Sequence, residues 1–283
     1  MTNSINDNLT DKCFSEYLNF THKLTGITIG DNRKSMLVSR LRSRLRATSS
    51  PDFESYLALL KNDPDEVEHF ISSITTNKTL FFRTPRIWSY MSDVFIPEWI
   101  SSNRGGKLHL WSAAASTGEE AYTAGVLLES FRQRNPSFDY QITGTDISPR
   151  VIEAAKTGVY PPRSVQRFRD TEPELFNSFM VGSDTQGYSV APRIRQKIRF
   201  KNHNIFDLYK HAAKFDIALL RNVLIYFTKP DQERAIANVE RSLNSTGLLV
   251  IGESETLSPL NTGFSPVAPL IYKPGTKAAE QAA

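Results

Sequence analysis

From Lys107 onward the sequence alternates short apolar runs with segments of helical spacing, and this pattern constrains the fold more than any other feature. The runs read KLHLWSAA, YQITGTD, IRFKN, FDIALLRN and GLLVIGE. Alternation of this kind is typical of βαβ units built around a parallel sheet. The sequence therefore predicts an α/β domain in its second part.

The first eighty or so residues have helical spacing and few turn signals. Leu37, Leu41 and Leu45 recur every four residues, and a new apolar face begins after Ser50-Pro51. A small helical domain is expected here. The predicted boundaries are 10–75 for the helical domain, 76–105 for a linker and helix, 106–274 for the α/β domain with a β-excursion at roughly 163–200, and 275–283 for a disordered tail.

Composition excludes several classes of protein. Cys13 is the single cysteine among 283 residues, so neither a disulfide framework nor a thiolate metal cluster is expected. The N-terminus lacks a signal pattern, and no run approaches the roughly 20 apolar residues that a membrane span needs. We expect a cytoplasmic protein without membrane insertion.

Positive charge is concentrated between Arg33 and Arg46, where Lys34, Arg40, Arg42 and Arg44 stand without an acid. One-sided charge of this kind indicates an acidic partner. The alternative is a solvated helical face around a packed leucine stripe.

The stretch LWSAAASTGEEAY, from Leu110 to Tyr122, follows the first predicted strand. Ligands of open α/β sheets bind beyond the carboxyl ends of strands, so this turn is a candidate site. The G-x-G-x-x-G fingerprint is missing, and Glu119 and Glu120 would place negative charge beside a pyrophosphate. The glutamates either complement the helix dipole, at about 0.3–1 kcal/mol each, or face a phosphate-free, positively charged nucleoside such as S-adenosylmethionine (SAM).

Two later strands also end in polar residues. Asp146 closes YQITGTD, where an acid can accept both ribose hydroxyls or cap the next helix. We favour ribose binding, because the preceding loop already disfavours phosphate. Arg221 and Asn222 end FDIALLRN, and a buried arginine must be paired or face a cleft. The alternative is a paired structural arginine at a sheet edge.

Four segments together resemble the CheR family, the protein-glutamate O-methyltransferases of bacterial chemotaxis. They are TTNKTLFFR (75–83), LWSAAASTGEEAY, TGTDIS (143–148) and LLRNVLIYF (219–227). The resemblance runs from about Arg33 to Tyr272. It implies an N-terminal all-helical domain, then a SAM-dependent, Rossmann-like methyltransferase domain with a mostly parallel seven-stranded sheet and a small inserted antiparallel β-subdomain.

The resemblance also implies residue roles. Arg83 would hold the cofactor's carboxylate, Tyr226 would stand near the reacting sulfur, and Arg40, Arg44 and Arg46 of the basic helix would dock the substrate. The implied cofactor contacts are Asn77, Thr79, Arg83, Ala114, Glu120, Asp146, Asn204, Ile205, Arg221 and Asn222.

The implied reaction moves a methyl group from SAM to glutamate carboxylates of the cytoplasmic helical bundle of methyl-accepting chemotaxis receptors, leaving S-adenosylhomocysteine (SAH). No metal is expected, and a monomer recruited to membrane-bound receptor arrays is the predicted form. The region SFMVGSDTQGYSVAPRIRQK begins at Ser178 and is slightly short compared with family members that bind a C-terminal receptor pentapeptide through the β-subdomain. This favours an enzyme that does not depend on that pentapeptide.

Two other functions remain open at this point. A nucleic-acid methyltransferase or binder would suit the pI of about 9.1. Against it, the Asn/Asp-Pro-Pro-aromatic motif of adenine methylases is replaced by RNVLIYF, and no aromatics interleave the basic run. A non-catalytic SAM or SAH sensor is the second alternative.

Overall fold

A computed structural model describes residues 8–210 and 212–275. The chain begins with four helices that form one helical unit. They are α1 (Asp11–Thr25), α2 (Lys34–Ala47), α3 (Phe53–Leu60) and α4 (Pro64–Ile74). The predicted stripe of Leu37, Leu41 and Leu45 is fully buried against this unit's core. Side chains of Thr10, Asp52 and Asp63 cap the N-termini of α1, α3 and α4.

A second helical segment connects this unit to the sheet. It consists of α5 (Pro85–Tyr90), a π-helical turn (Met91–Phe95) and α6 (Ile96–Ser102). Ile87, Trp88 and Ile96 on this segment are buried in the main core of the sheet domain. The segment therefore covers the sheet and is no loose linker.

The main sheet consists of β1 (Lys107–Ser112), β2 (Asp139–Asp146), β6 (Ile198–Asn202), β7 (Phe215–Leu220), β8 (Leu243–Ile251), β9 (Phe264–Ala268) and β10 (Ile271–Pro274). These seven strands lie in the order β6-β2-β1-β7-β8-β10-β9. β6, β2, β1, β7 and β8 pair in parallel, whereas β10 is antiparallel to both neighbours. The prediction of a mostly parallel seven-stranded sheet is confirmed.

Helices cover both faces of this sheet, as a parallel sheet requires. The crossovers include α7 (Glu119–Arg134), α8 (Pro149–Thr157) and α12 (Lys229–Ser242). Ile217 and Leu219 of β7 point into one core, while Ala218 and Leu220 point into the other. Burial on both sides explains why these strands read as continuous apolar runs.

A small antiparallel sheet is inserted between β2 and β6. It contains β3 (Val159–Tyr160), β4 (Met180–Ser183) and β5 (Gly187–Val190) in the order β3-β5-β4. Helices α9 (Pro162–Thr171) and α10 (Pro173–Phe179) lie between β3 and β4, and α11 (Pro192–Arg195) follows β5.

The insertion differs in extent from the predicted range of 163–200. Its first strand lies before residue 163, and residues 198–200 already belong to β6 of the main sheet. A two-residue strand such as β3 has no periodicity of its own and forms only because β5 pairs with it. The predicted tail, 275–283, lies outside the described residues except for Gly275.

The helical unit packs against the sheet domain beside the carboxyl ends of the strands. The backbone N–H of Thr28 donates to the carbonyl of Tyr226 at 2.8 Å, and Asn204 Nδ2 donates to the carbonyl of Leu24 at 3.0 Å. Gly26, in the left-handed region at φ 68°, ends α1 where a Cβ would lie 2.1 Å from the Phe206 ring. The end of α1 is therefore fixed against the sheet domain.

Within the described ranges, none of the helices has the length and apolar character needed to cross a membrane.

Candidate active site

A cleft opens at the carboxyl ends of β1, β2 and β7, and the strand order reverses between the neighbouring strands β1 and β7. This switch point is where open α/β sheets bind ligands. The cleft has a volume of about 920 Å³ including its open mouth. All the predicted cofactor-binding and catalytic residues line it: Asn77, Thr79, Arg83, Ala114, Glu120, Asp146, Asn204, Ile205, Arg221, Asn222 and Tyr226.

The loop after β1 forms the floor of the cleft. The backbone N–H groups of Ala113 and Ala115 donate to Leu219 and Thr145 on the two neighbouring strands, at 2.8 Å each. Ala113 and Ala114 line the cleft and have the small side chains that allow a ligand close to the backbone. Gly118, at φ 97°, then starts α7 in a conformation that favours glycine.

The two adjacent glutamates of this loop differ in environment. Glu119 is buried outside the cleft, where its Oε2 accepts a hydrogen bond from Thr117 Oγ1 at 2.6 Å and burial raises its pKa. Glu120 lines the cleft and accepts from Ser112 Oγ at 2.7 Å. Of the two glutamates, Glu120 is therefore the one that faces the cleft.

Glu120 also forms a buried ion pair with Arg221. Arg221 Nη1 lies 2.8 Å from Glu120 Oε2, and the two side chains are only 2% and 12% exposed. Arg221 Nη2 donates to the carbonyl of Arg83 at 2.9 Å, and the guanidinium lies 5.8 Å from the ring centre of Trp88. Its Nε has no hydrogen-bond partner within the described residues. Arg221 is thus a buried, paired arginine that also borders the cleft.

Asp146, at the end of β2, connects two loops around the cleft. Its Oδ2 accepts from the backbone N–H of Ser116 at 2.9 Å, and its Oδ1 accepts from that of Ser148 at 3.0 Å. Burial raises the pKa of Asp146, and these backbone donors oppose that rise. Asp146 precedes the N-cap position of α8, which Ser148 occupies, so the helix-cap alternative does not hold.

The segment 75–83 forms one wall. Arg83 is half-buried, its Nη1 donates to the carbonyl of Lys78 at 3.3 Å, and its own carbonyl accepts from Trp88 Nε1 at 3.0 Å. Phe82 and Thr84 on either side have φ values of 50° and 63°. Left-handed conformations at such residues cost about 1–3 kcal/mol each and concentrate at functional sites.

Ser116 (φ 50°) and Asn222 (φ 59°), which line the cleft, also have left-handed backbone conformations. Strained backbone therefore surrounds the cleft from three loops. Asn222 is of a residue type that often adopts this conformation, whereas the residue types at the other three positions do not indicate it.

The cleft also contains residues that the sequence analysis missed. Thr25 and Ile27, at the end of α1, belong to the helical unit, which was predicted only as a docking domain. His203 lines the cleft as well, and burial lowers its pKa, which favours a neutral ring. The strand pattern around KNHNIFD indicates that some residue after β6 reaches the site, but nothing in the sequence places α1 there.

The three predicted docking arginines have different surroundings. Arg46 is exposed. Arg40 donates to the carbonyl of Ile74 and to Thr76 Oγ1, the latter at 2.8 Å, and so supports the end of α4.

Arg44 differs most from the expectation, because its partner belongs to another helix. It binds Glu66 through two hydrogen bonds of 2.9 and 2.5 Å. Burial acts to raise the pKa of Glu66, but bonds from Arg44 and Tyr56 outweigh it and the pKa is lowered. No acidic residue lies near Arg44 in the sequence, but Glu66 of α4 pairs with it in the fold. The Arg44 guanidinium therefore already has its partner inside the helical unit.

The donor set of the cleft fits a zwitterionic, phosphate-free nucleoside. Glu120 and Asp146 can accept further hydrogen bonds from hydroxyl or ammonium groups. A carboxylate offers about four lone-pair sites, and the bonds within the protein use only some of them. Arg83 and Arg221 supply positive charge for a carboxylate. No group of three or more potential metal ligands occurs among residues 8–210 and 212–275.

Comparisons with known proteins agree with this fold and site. Residues 13–75 match the family described as CheR methyltransferase, all-alpha domain, and residues 77–270 match CheR methyltransferase, SAM binding domain. Chemotaxis protein methyltransferase Cher2 of Pseudomonas putida is 29% identical over 252 residues, covering 87% of this chain and 91% of that protein. A chemotaxis protein methyltransferase of Listeria monocytogenes is 32% identical over 262 residues, covering 91% and 96%.

Among solved structures, PKMT2 from Rickettsia typhi in complex with AdoHcy matches with a TM-score of 0.31 and 15% identity, over 51% of this chain and 20% of that one. This likeness is too low to bear on function.

The fold is that of a SAM-dependent methyltransferase preceded by an all-helical domain. The chain belongs to the CheR methyltransferase family, whose models match it over both domains. Its activity is accordingly SAM-dependent methylation in chemotaxis.

Proposed function

We propose that this protein methylates glutamate side chains in the helical bundle of methyl-accepting chemotaxis receptors, forming glutamyl methyl esters and SAH. The observation that carries the proposal is the cleft, where Arg83, Glu120, Asp146 and Arg221 converge at the switch point of a CheR-family chain. Chemotaxis methyltransferase relatives that align over most of their length support it.

Each wall of the cleft has a role in holding SAM. Asp146 would accept from the ribose hydroxyls, Asn204 and Ile205 would border the adenine, and Glu120 would face the amino group. Arg83 would bind the carboxylate, with Asn77 and Thr79 from the same segment beside it. When bound, SAM supplies a methyl group activated by a sulfonium. The small side chains of Ala113 and Ala114, which line the cleft, would let the nucleoside lie close to the backbone.

The substrate carboxylate needs no general base. A glutamate with a reference pKa of about 4.3 is already ionised at neutral pH. Its negative charge and the positive sulfonium disappear together in the reaction, and a cleft poor in water favours this loss of charge. Tyr226 is half-buried at the cleft, where it orients the reacting groups. Catalysis then rests mainly on positioning.

Docking of the receptor uses the positive charge of α2. Receptor methylation regions are helical bundles rich in glutamate, and complementary fields speed encounter. Arg46 is the predicted docking residue with an exposed side chain, whereas Arg40 and Arg44 also have bonds within the protein. The proposed docking face is therefore centred on Arg46.

The decisive experiment mixes the purified protein with membranes containing receptors and with SAM labelled in its methyl group. We expect label in the receptor band, released by mild base as an ester should be, and no label when receptor glutamates are changed to alanine. Arg83→Ala should lower turnover even at saturating SAM. Label in nucleic acid with none in receptors would overturn the proposal, and SAH binding without any transfer would favour a sensor.

A further inference from the structure

A buried carboxylate outside the predicted site binds the backbone of a loop that lines the cleft. Glu255, in the loop after β8, is 8% exposed and does not line the cleft. Its Oε2 accepts from the backbone N–H groups of Asn222 at 2.9 Å and Gly252 at 2.5 Å, and its Oε1 accepts from that of Leu224 at 2.8 Å. One carboxylate thus binds three backbone donors from the loops after β7 and β8.

The loop held in this way carries much of the proposed active site. Residues 221–223, 226 and 227 line the cleft, and Asn222 has the left-handed φ of 59°. Leu224–Tyr226 forms a 3₁₀ turn that sets the position of the Tyr226 side chain. Asparagine adopts this conformation more readily than most residues. The bond from the Asn222 N–H to Glu255 then holds the backbone in it.

The opposite side of the same loop is held by a different residue. Gln232 of α12 donates its Nε2 to the carbonyls of Leu224 and Phe227, at 2.9 and 3.1 Å. Glu255 binds N–H groups of the loop and Gln232 binds its carbonyl groups. Because both backbone faces are bound, the loop has little freedom to move Asn222 or Tyr226.

Gly252 shows how tightly these parts fit. A Cβ at Gly252 would lie 2.6 Å from Asn222 Nδ2, 2.7 Å from Glu255 Oε2 and 2.8 Å from the Asn222 nitrogen. Any side chain there would push the carboxylate away from the Asn222 N–H. Gly252 and Glu255 therefore act on Asn222 as a unit.

We propose that Glu255 is a positioning residue for methyl transfer, which acts through the backbone N–H groups of Asn222 and Leu224 to fix Asn222 and Tyr226 in the cleft. This proposal rests on the proposed function. The role requires an ionised carboxylate, because it accepts hydrogen bonds at both oxygens, whereas an amide would turn an NH₂ group toward an N–H donor. Glutamine has nearly the same shape as glutamate but cannot accept hydrogen bonds from all three N–H groups.

The test compares Glu255→Gln with Glu253→Gln. Glu253 lies two residues away, is 56% exposed and, among the residues that the structure describes, makes only a long contact of 3.7 Å with Arg86, so its replacement is a matched control. In Glu255→Gln we expect kcat to fall about 100-fold, the effect of a displacement near 1 Å. The Kd for SAH should rise roughly tenfold as preorganisation is lost, with KM for receptor unchanged. Glu253→Gln should match the wild type.

Hydrogen exchange separates positioning from general support of the fold. In Glu255→Gln the amides of Asn222, Leu224 and Gly252 should exchange faster, while those of Leu219 and Val250 in the adjoining strands keep their protection. Loss of local protection with wild-type kcat and SAH affinity would overturn the proposal. Equal loss of protection across both strands would also overturn it, because the residue would then support the whole sheet.

Gly252→Ala provides a second route if Glu255→Gln does not fold. It keeps the carboxylate but crowds Asn222, so it should lower kcat in the same way, and wild-type turnover would refute the proposal. SAH affinity and hydrogen exchange do not depend on the receptor. Wild-type protein that binds SAH but methylates no receptor would therefore contradict only the proposed function.

Discussion

An arginine–glutamate pair in the helical unit and one at the cleft look alike but have different surroundings. Arg44 and Glu66 join two helices of the N-terminal unit, and Arg221 and Glu120 join the loops after β7 and β1. In the first pair Glu66 also accepts from Tyr56 Oη at 2.6 Å, so its charge is enclosed by donors. In the second pair Arg221 Nε lacks a partner among the described residues, and both side chains line the cleft.

The difference shows that ion pairing alone does not reveal a residue's role. A pair whose lone pairs and N–H groups are satisfied inside the fold is a structural element. A pair whose side chains line a cleft can instead contribute its charges to a ligand bound there. Both arginines were singled out from the sequence as contacts for other molecules, and only Arg221 has surroundings suited to that.

The largest effect is expected from breaking the structural pair. Arg44→Met leaves the Glu66 carboxylate buried with Tyr56 as its remaining side-chain donor, so the free energy of unfolding should fall by about 3–5 kcal/mol. The SAH affinity of the folded protein should stay unchanged, because neither residue lines the cleft. Urea unfolding and calorimetric titration with SAH measure the two quantities. A large loss of SAH affinity without loss of stability would reverse the assignment.

Breaking the cleft pair should act on binding first. Arg221→Met leaves Glu120 without its cation, and truncation of a buried charge partner at a binding site costs about 2–5 kcal/mol. The Kd for SAH should accordingly rise about 30-fold or more. Arg132→Met is the control, because Arg132 binds the buried Glu129 at 2.7 Å away from the cleft. That variant should lose stability and keep its affinity, and an equal affinity loss in both would count against the cleft assignment.

The smallest effect concerns the exposed arginine of α2. Arg46→Glu should raise KM for receptor about two- to fivefold, as expected for surface charges worth at most about 1 kcal/mol. The effect should shrink as salt is added, while SAH affinity stays normal. Arg104→Glu makes the same change of charge on an exposed loop and should leave KM unaltered. Equal KM values for the two variants at low salt would exclude docking at Arg46.

Much of the candidate active site could be predicted because it lies at strand ends. Glu120, Asp146 and Arg221 each follow or end an apolar run, and the carboxyl ends of parallel strands converge on one edge of a sheet. The resemblance to a family added Arg83, Asn77 and Thr79, which precede the sheet and carry no such signal.

Other features had no local signal. Nothing in the sequence around Arg44 indicates Glu66, which lies 22 residues further on another helix. The same holds for Thr25 and Ile27, which reach the cleft only because α1 ends against Phe206 and Tyr226. Glu255 was missed because its partners are backbone N–H groups, which every sequence offers.

The sequence by itself determined the α/β class, the helical first domain, the strand ends that form the cleft and the preference for a phosphate-free ligand. Periodicity and residue type report burial and local conformation, and these suffice for such features. Only the tertiary structure decided which arginine is satisfied by a carboxylate from another helix, which glutamate faces the cleft and which buried carboxylate fixes its loop. Those outcomes depend on hydrogen-bond partners distant in the chain, and a linear pattern does not encode which donors and acceptors will meet.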